Sequence, residues 1–294
     1  MDVSRTKIGL ALSSGGARGA AHVGVLKVLE EAGIVPDVIV GTSMGAEFGG
    51  AYAAGIPVSE LEGLLQSTSF GRVFKSLLPT IPWSGWSSGN AIRRFLRDLL
   101  GDRTIEGLPI QFGAVVTDLE SGLPITLTEG SLVEAIRASL SVPGLFTPVW
   151  IDGHLCIDGG VSNPLPVDTA RALGADAVIA VDVLVEPSEV KLSGIPAIDF
   201  RERMVGIAKG IEPPLVDPRR YAPSVFSVLF QMSTVFQKRL SDARLAQHPP
   251  DVLIRPDFSD DPPCYSRVGC GIEAGERAAR RALPEILRIM LCER

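Results

Sequence analysis

The sequence predicts an α/β protein with a largely parallel central sheet flanked by helices. Three observations carry that expectation. Short apolar runs alternate along the chain with stretches of helical periodicity, the pattern of strand–helix–strand units. Two strand-to-helix junctions, Ser13-Ser14-Gly15-Gly16-Ala17-Arg18-Gly19 and Gly41-Thr42-Ser43-Met44-Gly45, are glycine-rich turns. A chain of 294 residues is also long enough to bury one large core.

The elements follow in order. Residues 8–12 read as a buried strand that runs through the first glycine loop into a helix over about 20–32, closed by Gly33. Residues 37–40 form the second strand, and the small-residue stretch 45–54 the helix behind it. Further strands are expected over 110–117, 125–128, 154–158, 177–183 and 251–255. Further helices are expected over 58–67, 91–100, 131–139, 166–173 and 271–291. Residues 186–223, rich in proline and mixed charge, read as an irregular connection. The strand at 251–255 still belongs to the same core. The expectation is therefore one domain over 1–294, with a catalytic core over about 7–183 and a completing segment over about 184–294.

Composition narrows the function classes. The net charge of -6 and a pI near 5.2 exclude nucleic-acid binding through a global basic field. They also give no general attraction to anionic membranes, so any lipid contact must be local. Two segments could supply it in a chain whose mean hydropathy is +0.26. Residues 69–90 set Phe70, Trp83 and Trp86 among prolines and glycines, which reads either as a cap at a membrane interface or as a loop tucked onto the core. In residues 224–244, Val225, Val228, Leu229, Met232, Val235, Phe236 and Leu240 repeat at helical spacing. That stripe reads as a helix covering the sheet, as a homo-oligomer face, or as a lipid-contacting surface. A polar start and the lack of an 18-residue apolar run point to a cytoplasmic protein, peripheral to the membrane where it meets lipid. Four cysteines without a C-x-x-C pair, and no cluster at ligand spacing, imply neither a metal nor another cofactor.

The chemistry is concentrated in the glycine turns. Gly41-Thr42-Ser43-Met44-Gly45 is a G-x-S-x-G sequence between a strand and a helix. Its glycines allow a strained turn that lifts the Ser43 hydroxyl from the sheet, and the amides at the start of the next helix, Met44 among them, face the place where an oxyanion would form. The plainer reading is a tight turn without chemistry. The loop from Gly15 through Gly16, Ala17 and Arg18 to Gly19 presents several backbone amides in one direction, a nest for a phosphate or an oxyanion. It lacks the Lys-Ser or Lys-Thr of a P-loop and the G-x-G-x-x-G spacing of a dinucleotide site. Arg18, a cation at a helix start, should have a reason to be there: ordering the loop or meeting a lipid phosphate.

A serine nucleophile needs a base. Only three histidines exist: His22 reads as a packed helix residue, His154 as part of a solvated hairpin turn, and His248 as a polar-loop residue before two prolines. The elbow comes after about two strands, too early for an α/β-hydrolase triad using His248. Asp158, followed by Gly159 and Gly160 at a strand end, is the better candidate, against an Asx-turn reading. Asp118, Asp176 and Asp182 compete but also read as strand-end or cap residues.

The set S-G-G-A-R-G, G-T-S-M-G and D-G-G, in that order, resembles the patatin-like phospholipases, and within them the bacterial proteins related to the catalytic domain of neuropathy target esterase. The likeness runs from about Lys7 to Asp182 and takes in Thr117-Asp118-Leu119, Arg137-Ala138-Ser139, Pro143-Gly144-Leu145-Phe146 and Asn163-Pro164-Leu165-Pro166. The resemblance implies a three-layer fold and a Ser–Asp dyad without histidine. It makes Ser43 the nucleophile, Asp158 the base, and the loop Gly15 to Gly19 with the Met44 amide the oxyanion hole. It implies phospholipid, lysophospholipid or another acyl ester as substrate. Ser14 departs from the pattern, since many members carry a third glycine there. A serine keeps the amide, so the hole should survive in a somewhat narrower pocket. The rival readings are a regulatory partner-binding protein that retains the pocket, a short-chain carboxylesterase, and a phosphate or nucleotide binder using the glycine loop.

Overall fold

A computed structural model describes residues 5–67, 88–184, 186–187, 194–196, 221–223, 225–258 and 268–291. The strands are β1 (Ile8–Leu12), β2 (Val38–Thr42), β3 (Gln111–Asp118), β4 (Pro124–Leu127), β5 (Val149–Ile151), β6 (His154–Asp158), β7 (Ala177–Val181), β8 (Gly194–Pro196), β9 (Tyr221–Pro223) and β10 (Val252–Ile254). The helices are α1 (Ala20–Glu31), α2 (Met44–Ala53), α3 (Val58–Gln66), α4 (Asn90–Leu100), α5 (Leu132–Ser139), α6 (Val167–Ala172), α7 (Val225–Gln247) and α8 (Val268–Leu291).

Eight strands form one sheet in the order β10-β7-β1-β2-β3-β6-β5, with β4 on β3. The five from β10 to β3 are parallel, and β4, β5 and β6 pair antiparallel. β1, β2 and β7 are buried at every residue, which is why each reads as a continuous apolar run rather than an alternating one. Their successive side chains point to opposite faces. Leu10, Leu12, Ile39 and Phe112 meet the helices of one layer, with Leu26, Leu29 and Ile136 among their neighbours. Ala11, Val38, Val40 and Val178 meet Leu165, Val167 and Ala170, around α6, in the other. The fold is thus a three-layer α/β arrangement with a largely parallel sheet in the middle.

β3 places the site. Along one of its edges β2 pairs with residues 111–115, and beyond it β6 pairs with residues 116–118. Because β2 runs parallel to β3 and β6 antiparallel, the C-terminal ends of β2 and β6 meet. Thr42 is opposite Val115 and Asp158 is opposite Val116.

Several elements differ from expectation. β5 is a three-residue edge strand whose central Trp150 is 64% exposed, so it shows neither a buried run nor alternation. The β5–β6 turn is Asp152-Gly153 alone, with φ of 49° and 83°, the signature of a two-residue type I′ hairpin. His154 opens β6, at the start of the strand expected over 154–158, and is largely exposed as expected. β8 and β9 make a two-stranded pair within the stretch expected to be irregular. α7 does not lay its apolar stripe on the sheet. Lys238 and Ser241 are buried while Val228, Leu229, Met232 and Phe236 are exposed, and Leu245 packs on the second core cluster. The expected cap over residues 69–90, with Phe70, Trp83 and Trp86, lies outside the described residues except at its end. Among the described residues no helix is long and apolar enough to cross a membrane.

α8 joins the core by a close helix crossing. A Cβ on Gly24 of α1 would overlap the Ile272 carbonyl, and one on Gly275 of α8 would overlap the Ala21 carbonyl. The two backbones touch, and no side chain can yield. Gly275→Val is therefore expected to destabilise the fold by about 3 kcal/mol, the upper end of ordinary overpacking. Denaturant unfolding would check this, and wild-type stability in the variant would show that the helices do not cross this closely.

Candidate active site

The site begins with a strained residue. Ser43 follows the last residue of β2 and precedes α2, with φ 56° and ψ −117°. A non-glycine residue in such a conformation costs about 1–3 kcal/mol and persists only where its surroundings enforce it. The enforcement is visible. The Ser43 amide donates to Ser139 Oγ at 2.8 Å, and the Ser139 hydroxyl donates to the Val115 carbonyl at 2.6 Å. Thr42 Oγ1 donates to the Asn163 carbonyl at 2.8 Å. A Cβ on Gly41 would overlap the Gly45 carbonyl and one on Gly45 would overlap that of Leu12, so both glycines of the G-x-S-x-G turn are sterically required.

Asp158 arrives from the other strand. Its amide donates to the Ser141 carbonyl at 3.0 Å, and its carbonyl accepts from Thr117 Oγ1 at 2.9 Å. Its Oδ1 accepts the Gly160 amide at 2.7 Å, and its Oδ2 accepts the Ser43 hydroxyl at 2.7 Å. The side chain is almost completely buried. Burial pushes the carboxyl up to about 6, against the lowering effect of the hydrogen bonds from Ser43 and Gly160.

The glycine loop is tighter than the sequence suggests. Gly16–Gly19 is a 3-10 turn, and the Arg18 amide donates to the Gly15 carbonyl at 3.2 Å. Among the described residues, the amides of Gly15, Gly16, Ala17 and Met44 have no partner. The expected five donors of the loop thus lose Arg18, because its amide closes the turn, and Gly19 lies at the end of the same 3-10 ladder. The Arg18 guanidinium sits 4.5 Å over the Phe258 ring, beside a cleft of about 130 Å³ that Asp182, Lys238 and Arg255 also line. That stacking matches the loop-ordering reading of Arg18.

The histidines lie elsewhere. Ser43 Oγ is paired with Asp158 and with none of them. His22 is fully buried with Nε2 2.9 Å from the Ser13 carbonyl, and burial lowers it to about 4, so it is neutral at pH 7 and braces the strand before the loop. His154 Nδ1 is 3.5 Å from Asp118 Oδ2 at the surface. His248 follows the last residue of α7, its amide donating to the Arg244 carbonyl. The competing aspartates are structural. Asp118 accepts from Ser121 and the Glu120 amide in the β3–β4 turn. Asp176 accepts the Lys7 amide. Asp182 pairs with Arg255 at 3.0 Å. Among the described residues no group of His, Cys, Asp or Glu is placed to hold a metal ion.

Sequence reasoning gave no role to Ser139, Ser141, Thr117 or Gln237. The first three are small polar residues inside apolar stretches, and Thr117 and Ser139 also fall in the motifs that carry the family resemblance. Gln237 accepts the Ser14 hydroxyl at 2.7 Å from 223 residues away, and no local pattern marks it.

The patatin-like phospholipase family model matches residues 10–171. An uncharacterized NTE family protein of Mycobacterium tuberculosis is 41% identical over 180 residues, covering 61% of this chain and 50% of that protein. Human patatin-like phospholipase domain-containing protein 6 is 39% identical over 181 residues, covering 60% of this chain and 13% of that protein. The chain thus spans half or less of the length of these relatives. Among solved structures, VipD from Legionella pneumophila aligns with a TM-score of 0.46 at 14% identity, over 96% of this chain and 67% of its own. Human GIVD cytosolic phospholipase A2 aligns with a TM-score of 0.43 at 13% identity, over 97% of this chain and 59% of its own. The family match runs from β1 into α6 and takes in the glycine loop, Ser43 and Asp158 together; the chain belongs to the patatin-like phospholipase family.

Proposed function

We propose that this chain is a serine lipid acyl hydrolase of the phospholipase A or lysophospholipase type, working through an acyl-Ser43 intermediate with Asp158 as the general base. One observation carries the reading: the Ser43 hydroxyl, on a strained elbow, donates to Asp158 Oδ2 at 2.7 Å. Family membership makes a lipid ester the natural substrate.

Ser43 Oγ attacks the ester carbonyl carbon as its proton passes to Asp158 Oδ2. The carbonyl oxygen becomes an oxyanion, and the amides of Gly15, Gly16, Ala17 and Met44 are the donors for it. Removing one such donor typically costs about 3 to 4 kcal/mol in the transition state. Collapse of the tetrahedral intermediate breaks the ester C–O bond, and the departing alcohol oxygen takes the proton from Asp158. Water then attacks acyl-Ser43, again giving a proton to Asp158, and the fatty acid leaves as the Ser43 hydroxyl is restored. An ordinary aspartate, near pKa 4, is a weak base for this work. At about 6, Asp158 is a stronger base that is still mostly ionised at pH 7.

Ser43→Ala and Asp158→Asn are each expected to lower turnover of a lysophospholipid about a thousandfold or more while leaving the fold intact by circular dichroism. Intact-mass spectrometry after fluorophosphonate treatment should give one adduct, absent in Ser43→Ala. An unlabelled but folded wild type would favour the partner-binding alternative, and turnover confined to short-chain esters would narrow the function to a carboxylesterase. The pH profile is a separate test. Only ionised Asp158 can accept the proton, so kcat/KM should fall about tenfold per pH unit below about 6 and level off above it. A profile flat down to pH 5 would remove Asp158 as the titrating base.

A further inference from the structure

We propose that Gln237 of α7, a residue beyond the family match, is a positioning residue of this site, fixing at once the glycine loop and the turn that orients Asp158. The glycine loop needs such a brace. Gly15 and Gly16 have wide conformational freedom, so the direction of their amides depends on what holds the flanks. Ser13 is held by its amide to the Val181 carbonyl and by the Val183 amide donating to its hydroxyl. Ser14, adjacent to the loop, donates its amide to the Pro164 carbonyl and its hydroxyl to Gln237 Oε1 at 2.7 Å. Ser14 thus gives the loop a hydroxyl, and α7 supplies its acceptor.

The same side chain reaches the carboxylate turn. Gln237 Nε2 donates to Ser233 Oγ at 3.1 Å, which sets the orientation of the amide group. A Cβ built on Gly160 would lie 2.9 Å from Gln237 Cδ and 3.0 Å from Nε2, so the amide plane lies against Gly160. The Gly160 amide is the donor to Asp158 Oδ1. α7 is itself anchored, with Arg244 Nη2 2.6 Å from Asp168 Oδ2. Asp168 Oδ1 accepts from Asn163 Nδ2 at 3.1 Å, and the Asn163 carbonyl accepts from Thr42 beside Ser43. Gln237 therefore sits on a helix locked to the elbow and touches both sides of the reacting centre.

The kinetic consequence rests on the hydrolase reading, whereas the tether rests on geometry alone, so the test reads both. Hydrogen exchange over residues 13–19 and steady-state kinetics on a soluble short-chain ester are measured for wild type, Ser14→Ala, Gln237→Ala and the double variant. Exchange in Gln237→Ala should be about tenfold faster with the melting transition retained. Its kcat should fall about tenfold with KM changed less than about twofold, and the double variant should be no slower than the worse single variant. Gln237→Glu keeps an acceptor for Ser14 and adds a carboxylate near Asp158. It should restore slow exchange and move the acid limb of the pH profile upward. Unchanged exchange in Gln237→Ala would overturn the proposal, as would wild-type kcat or losses that multiply in the double variant. A wild type with no esterase activity would end the hydrolase reading, and the exchange comparison would still decide the tether.

Discussion

Val115 and Val116 are consecutive residues of β3, and their partners on one sheet edge come from different strands, Thr42 of β2 and Asp158 of β6. The rest of the site depends on that register. A parallel and an antiparallel neighbour end against each other on the same edge, and the residue after the first end faces the last residue of the second. The Ser43 hydroxyl and the Asp158 carboxylate are brought within 2.7 Å by two strand ends rather than by flexible loops. A one-residue slip of either strand would turn its side chains to the opposite face of the sheet and separate the pair.

A buried carboxylate and a strained serine are both unfavourable to fold, and the same small polar residues stabilise them. The Ser139 hydroxyl bridges the Ser43 amide to the Val115 carbonyl. The Thr117 hydroxyl holds the Asp158 carbonyl, and the Ser141 carbonyl accepts the Asp158 amide. These groups are neutral, and no cation hydrogen-bonds to Asp158 among the described residues. Burial therefore holds its carboxyl above the ordinary carboxylate range, where an ion pair would have lowered it. Strain and desolvation meet at this point, on a buried hydroxyl and a buried carboxylate that hydrogen-bond to each other.

The segment beyond the family match is bound to the core at several levels. β10 extends the parallel sheet beside β7, and α8 crosses α1 backbone to backbone. α7 packs Leu245 on the α6 side, pairs Arg244 with Asp168, and brings Gln237 to Ser14. Its outward stripe of Val228, Leu229, Met232 and Phe236 remains exposed on the same helix.

By itself the sequence determined what local sterics and periodicity control. Continuous apolar runs mark strands buried on both faces, and glycines at 41 and 45 mark a turn that larger residues cannot make. The α/β class, most elements and the position of the strained serine were legible for that reason. The residues alone favoured Asp158 over three competing aspartates, against an Asx-turn reading, and resemblance to the family gave it the role of base. Only tertiary structure decides which carboxylate lies next to the hydroxyl, because the two are 115 residues apart and meet through the register of a third strand. The same holds for Ser139 and Gln237, whose partners are distant in sequence, and for the amide of Arg18, which its own turn occupies. β5 is not legible in the sequence because a three-residue edge strand with an exposed centre carries no burial pattern. Periodicity records which face of an element is buried; it carries no record of which other element buries it.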